Sequence, residues 1–462
     1  MLVVRGALAV VSGDGAEAGG DVVCDGAAVA AAPTGAAPVG THGRDLRPAA
    51  PPPRADLLDA TGCVVTPGLV NAHHHLLQTA FRTLPGTRGV PMARWLPAMA
   101  AAYRGVGVDA ELVHAAALAG LAESLLSGVT TVADHHLTWP AGSGDGVPLA
   151  RAVVTAARES GTRLVLVRGS AGDDPERAAA SADAAAAALV GDATGGVTTD
   201  GMLQVAVGPA GVHSDSPETF ALLGEVAARR GLRRRTQANE QVDVAVAAER
   251  YGRRPLDLLG EWGWLAPDVT LAHLCGITAT EVSRLAVAGV SATHAPGCDL
   301  PMGWGVAPVA ALLDAGVPVG LGTSGGGSND AGHLLADARL AMQVAPLAPL
   351  GARPLAAREL LTAATAGSAT GLDRSDLGHL RPGAAADLCV WDVSTVLDAG
   401  VADPVAGLLW AAPGRRPRHV VVAGRVVVRD GELTSPVARA AGGALRRILV
   451  GRPGAATRRV LP

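Results

Sequence analysis

The chain has 462 residues, 49% hydrophobic, with 38 Lys+Arg against 42 Asp+Glu and a formal net charge of −4. That length exceeds one ordinary domain and supports a large core. The charge leaves no basic footprint for nucleic acid, and no apolar run has the length of a membrane span.

Residues 1–62 alternate apolar and small residues between turns and read as short strands, the first part of a small β-domain. The opening run carries Arg5 inside its apolar stretch, so it reads as a strand and not as a signal peptide. Ala30 to Arg54, rich in Ala, Pro and Gly with Pro51-Pro52-Pro53, reads as a loop. From Cys63 to about residue 370 apolar runs alternate with amphipathic helical stretches. Eight strands are expected, at Cys63–Asn71, Val129–His135, Arg163–Gly169, Leu203–Pro209, Leu232–Glu240, Val269–Cys275, Val290–His294 and Val317–Thr323. Helices are expected between them, as at Ala110–Leu126, Pro217–Arg230, Thr278–Ala288 and Ala307–Ala315.

Eight strands in that alternation imply an α/β fold, a (β/α)₈ TIM barrel over residues 63–370. Residues 371–434 return to short strands and are expected to join 1–62 in a composite β-sandwich. Residues 435–462 read as a terminal helix or a disordered end.

A barrel places its chemistry at the C-terminal ends of its strands. His73/His75, His135/His136, Glu240, His273, His294 and Ser324 all fall at or near such ends. On a strand His73 and His75 share one face, with His74 on the other. Two imidazoles at a strand end can grip one metal ion, most often zinc. No lysine occurs, which excludes Schiff-base catalysis and a carbamylated-lysine bridge between two metals. Aromatics are scarce, so Trp95, Trp139 and Trp304, all in loops after strand ends, are candidate stacking partners for a flat ring. His213 lies after the fourth strand, near the rim of the expected pocket. The five cysteines, Cys24, Cys63, Cys275, Cys298 and Cys389, show no CxxC spacing and fit a reduced cytoplasm.

The segments PGLVNAHHHLLQ (67–78), TTVADHH (130–136), LAHLCGIT (271–278), SND (328–330) and GHLRPGAAADLCVWD (378–392) together resemble the amidohydrolase superfamily. Within it the chain is most similar to cytosine-deaminase-like aminohydrolases of the 8-oxoguanine deaminase and hydroxyatrazine hydrolase group. The resemblance implies hydrolysis at a C–N bond of a small purine-, pterin- or triazine-like heterocycle in a cytoplasmic homodimer. It implies His73 and His75 as metal ligands, Glu240 as proton shuttle and His273 as the group that polarises the substrate. Gln78 matches a pocket glutamine of purine-acting relatives, and Asp299 stands where relatives often carry Asn.

Two positions depart from the pattern. Gln237 stands where the strand-5 metal histidine belongs, and Ser324 where the strand-8 aspartate belongs. Asp330 survives in the following loop, at a position that is not the ligand. Three readings follow. Zinc or iron stays, held by His73, His75 and a substitute such as His136, His273 or His294. Alternatively the pocket is metal-free and works through Glu240 and His273, as a hydrolase or as a lyase or cyclase of specialised metabolism. Or the protein is a non-catalytic paralogue that binds a ligand.

Overall fold

The computed structural model describes residues 1–13, 17–32, 56–140, 142 and 144–453. His42 and most of the expected Ala30–Arg54 loop lie outside the described residues.

Eight parallel strands close the barrel in chain order: β1 (Leu69–His75), β2 (Val129–His136), β3 (Arg163–Ser170), β4 (Leu203–Pro209), β5 (Arg233–Ala238), β6 (Val269–His273), β7 (Ser291–His294) and a divided β8. The first half of β8, Val319–Leu321, bonds β7; the second, Ser324–Gly325, bonds β1 opposite His74 and His75. The division falls at Gly322, where a Cβ would sit 2.7 Å from the carbonyl oxygen of His73. Only glycine lets the two backbones meet there. Ser324, just after the break, takes φ +53°.

The expected first strand, Cys63–Asn71, divides in the structure. Cys63–Pro67 pairs antiparallel to Leu388–Asp392 and parallel to Leu2–Val11 in a separate sheet, and the barrel strand starts at Leu69. The crossing point is Gly68, where a Cβ would lie 2.2 Å from Thr130 Oγ1. An apolar run covered on both faces looks the same in sequence whichever sheet covers it.

That second sheet is mixed and has nine strands drawn from both termini. A buried ion pair fastens it to the barrel: Arg163 at the start of β3 donates from Nε and Nη2 to Asp387, at 2.7 and 3.0 Å. The last described helix is Pro436–Val450, capped by Ser435 and packed on helix Ala110–Leu126, and residues 454–462 of the tail lie outside the described residues. That contact explains why Ala110–Leu126 buries eleven of its residues and lacks a polar face.

Candidate active site

The C-terminal ends of the barrel strands open into a cavity of about 830 Å³. Its floor carries His75 (β1), Asp134, His135 and His136 (β2), Gln237 (β5), Glu240 and Ser324 (β8). Its walls carry Gln78, Trp95, Trp139, Trp304 and the apolar side chains Met92, Met99 and Met302. Trp139 is held by its indole N–H, which donates to the carbonyls of His136 and Gly169, and the buried Arg168 guanidinium lies 4.8 Å from its ring centre. A flat apolar cleft between fixed rings suits a flat heterocycle.

His73, His273, His294 and Asp299 do not line the cavity; they form a layer packed beneath it. Trp304 covers His273 edge-on, with ring centres 5.0 Å apart. Nδ1 of His273 lies 2.6 Å from Asp299 Oδ1, and Asp299 Oδ2 lies 3.2 Å from His294 Nδ1. Nε2 of His273 lies 3.1 Å from Gln237 Oε1 and 3.7 Å from Glu240 Oε1.

These contacts favour the protonated form of His273. The amide of Gln237 donates to the Ala210 carbonyl at 3.1 Å, so its oxygen must be the atom facing His273. Both ring nitrogens of His273 therefore lie against acceptor atoms, an arrangement that favours the protonated ring. The electrostatics agree: burial pulls the His273 pKa down, but Asp299 and Glu240 outweigh it and the net shift is upward. Burial pushes Asp299 up, yet His273 and His294 hold it down at about 2. Glu240 is raised, chiefly by burial, and neither of its oxygens has a hydrogen-bond partner among the described residues.

His73 and His75 do share one face, with ring centres 4.9 Å apart. Burial depresses His75 to about 4 and pulls His73 well below the ordinary histidine value, which favours the neutral ring in both. The Nδ1–H of His75 donates to the His135 carbonyl at 2.7 Å, which leaves its Nε2 lone pair for another partner; Nε2 of His73 is buried without a partner among the described residues. Those are two good ligand atoms. The rest of the donor set does not complete a catalytic zinc centre. Gln237 and Ser324 offer neutral oxygens, and the Gln237 oxygen is already engaged by His273. Among the described residues, the grouping of three His, Cys or carboxylate atoms within 4.8 Å of one another is His273, Cys298 and Asp299, which includes neither β1 histidine. Beneath the cluster lies Arg235, fully buried, donating to the carbonyls of Ala72 and Gly371 with no carboxylate partner among the described residues. An imidazolium and a guanidinium in one low-dielectric floor disfavour a further cation.

Several expectations change in detail. His135, not His136, joins the β1 histidines, with ring centres 5.9 Å from His73 and 6.0 Å from His75. His136 points the other way, towards Asp134 and Trp139. Alternation along β2 separates the two, and no count of histidines in sequence says which faces inward. Gln78 reaches the cavity, but its amide oxygen accepts from the Gly327 N–H at 3.0 Å. The triple glycine serves that packing: a Cβ on Gly325 would lie 2.1 Å from Gln78 Oε1, and one on Gly327 would lie 2.7 Å from Met99. Asp330 ties down the loop after β1, accepting from Thr83 N at 2.6 Å and pairing with Arg88. His213 lines the cavity as the rim reading expects, and it brings Asp243, which sequence reasoning did not single out.

The amidohydrolase family pattern matches residues 64–427. The chain belongs to the amidohydrolase family. This amidohydrolase is 34% identical over 442 residues to the 8-oxoguanine deaminase of Pseudomonas aeruginosa, covering 93% of this chain and 94% of that protein. It is 31% identical over 430 residues to an isoxanthopterin deaminase of an unknown prokaryotic organism, 87% and 88% covered. Its fold superposes on the zinc complex of atrazine chlorohydrolase TrzN from Arthrobacter aurescens with a TM-score of 0.84 at 33% identity, covering 97% and 100% of the two chains. As an amidohydrolase-family enzyme, the chain is a hydrolase of the aminohydrolase type.

Proposed function

We propose that this amidohydrolase hydrolyses a C–N bond of a small flat nitrogen heterocycle, of purine, pterin or triazine type, through acid/base chemistry at Glu240. The carrying observation is the floor geometry: a buried carboxyl with two unpartnered oxygens, 3.7 Å from an imidazolium nitrogen, opening onto a tryptophan-walled cavity.

The chemistry follows from those groups. Glu240, raised in pKa, protonates a ring nitrogen of the bound heterocycle, and the ring carbon becomes electrophilic. The resulting carboxylate takes a proton from the attacking water as the new C–O bond forms. That proton passes to the departing amine, the C–N bond breaks and ammonia leaves, and the remaining hydroxyl proton returns to Glu240 as the ring carbon becomes a carbonyl. The overall change is heterocycle–NH₂ plus water to oxo-heterocycle plus ammonia. His273, fixed by Asp299, supplies positive charge where the oxygen gains negative charge. The relatives support the substrate class, since two of those named above are deaminases of an oxopurine and of a pterin.

At Gln237 and Ser324 this chain departs from the ligand pattern that its family resemblance implies, and the Gln237–His273 contact favours chemistry that does not depend on a tightly held ion. The test is ammonia release from amino-purines, amino-pterins and amino-triazines, with elemental analysis of the same protein purified without chelator. Turnover with well under one metal per chain supports the reading. Turnover that tracks about one metal per chain and vanishes in His73→Ala shows that a ligand set has been rebuilt. No turnover on any of the three classes counts against hydrolysis altogether.

A further inference from the structure

The far wall of the cavity carries a charged group that the acid/base reading leaves unused. His213, in the loop after β4, has a side chain 6% exposed and lines the cavity. Its backbone N–H and its Nδ1 both lie against Asp243 Oδ1, at 3.1 and 3.3 Å. The second oxygen of Asp243 accepts from Asn239 N at 2.9 Å. Asp243 is thus fully engaged, and it holds the imidazole ring against the same turn that presents Glu240. With Nδ1 turned to a carboxylate, Nε2 lies on the opposite edge of the ring, with no partner among the described residues.

The surroundings favour a cation at that position. Burial works against charge on the ring, but Asp243, Glu240 and Asp215 outweigh it and raise the His213 pKa to about 9. Asp215 itself is occupied by Ser170, Ser214 and the backbone N–H groups of Gly172 and Ala210. The remaining carboxyls on the cavity surface are Asp134, which accepts from Leu76 N at 2.7 Å and faces His136, and the acid/base Glu240. The remaining arginine there is Arg104, exposed at the end of helix Met92–Val106. A buried imidazole braced by a carboxylate on the cavity wall, with its far edge unpartnered among the described residues, matches an anionic acceptor.

We propose that His213, braced by Asp243, receives a carboxylate carried on the heterocyclic ring, so that the substrate is a heterocyclic acid. This rests on the heterocycle-binding reading above and narrows it.

The test measures binding, not turnover. Wild-type protein is titrated at pH 7 with pterin-6-carboxylate and with pterin, which differ by the carboxylate alone. A charge-assisted hydrogen bond predicts at least about tenfold tighter binding of the carboxylate. His213→Gln keeps a neutral donor and removes the charge; in it the ratio should fall to within about twofold of one, and His213→Asn should repeat the result. Equal affinities in wild type, no binding of either probe, or a preference that survives both substitutions overturns the proposal. A protein that shows the preference yet releases no ammonia keeps this inference and fails the hydrolase reading, so the two fail separately.

Discussion

Nδ1 of His273 and Oδ1 of Asp299 lie 2.6 Å apart, both fully buried, with Gln237 Oε1 closing the other side of the ring. The relation sets the charge of the cavity floor. His273 is raised, so its share of stability is complete below the unfolded histidine pKa and is lost as pH rises through the folded one. Asp299 is lowered to about 2, so its share is complete above the unfolded carboxyl pKa and is lost as pH falls towards that value.

Asp299→Asn removes the charge that sustains the imidazolium. The basic limb of the pH–rate profile should move down by at least about one pH unit, and turnover at pH 8 should fall about tenfold or more. An unchanged basic limb would show that His273 is not charged in the working enzyme.

Gln237→His with Ser324→Asp puts strong ligands back where relatives are expected to carry them. Each should tighten zinc binding by about tenfold or more, read by competition with a chromogenic chelator. Ser324 has φ +53°, a conformation that Asp tolerates better than most residues. Gln237→His also deprives His273 of its fixed acceptor, so the double variant should gain zinc and lose metal-independent turnover together.

Asp337 tests the electrostatics away from the chemistry. It is fully buried beside Asn329 and the Gly297 N–H, and burial raises its pKa to about 7. The folded state then binds its proton more tightly than the unfolded state, so stability falls as pH climbs from about 4 towards 7. Asp337→Asn should be more stable than wild type at pH 8 by a few kcal/mol at order of magnitude, and should match it near pH 4. Denaturant unfolding at the two pH values reads the difference.

Arg163→Ala strands the Asp387 carboxylate between barrel and terminal sheet. Removing one partner of a buried pair costs about 3–5 kcal/mol, so the melting temperature should drop by several degrees. Asp387 also accepts from Ala423 N, which holds it in place without its arginine. Arg163→Ala with Asp387→Asn should recover part of the loss, since no unpaired charge then remains.

Much of this was legible in the sequence. Apolar runs alternating with helical stretches marked the barrel strands in order, although most of the first expected run belongs to the terminal sheet, and alternation put His73 and His75 on one face. What the sequence could not show depends on contacts between distant segments. The hand-over at Gly68 and the break in β8 at Gly322 are set by Thr130 and His73, which lie on other segments. The triple glycine at 325–327 is likewise set by its neighbours Gln78, Arg82 and Met99. Asp243 looked like an ordinary helix residue; only the fold carries it to His213, thirty positions earlier. The substitutions at Gln237 and Ser324 were plain in sequence, but the contact from Gln237 to His273 was not.

The most direct measurement is ammonia release by wild type and Glu240→Gln, side by side, on whichever heterocycle class the wild type turns over. Glutamine keeps the shape of the side chain and cannot carry a proton to or from the ring. Turnover should fall by about 10²–10⁴-fold with the melting temperature held or raised, because an unpartnered buried carboxyl is removed. Turnover within about tenfold of wild type would contradict a chemistry centred on Glu240.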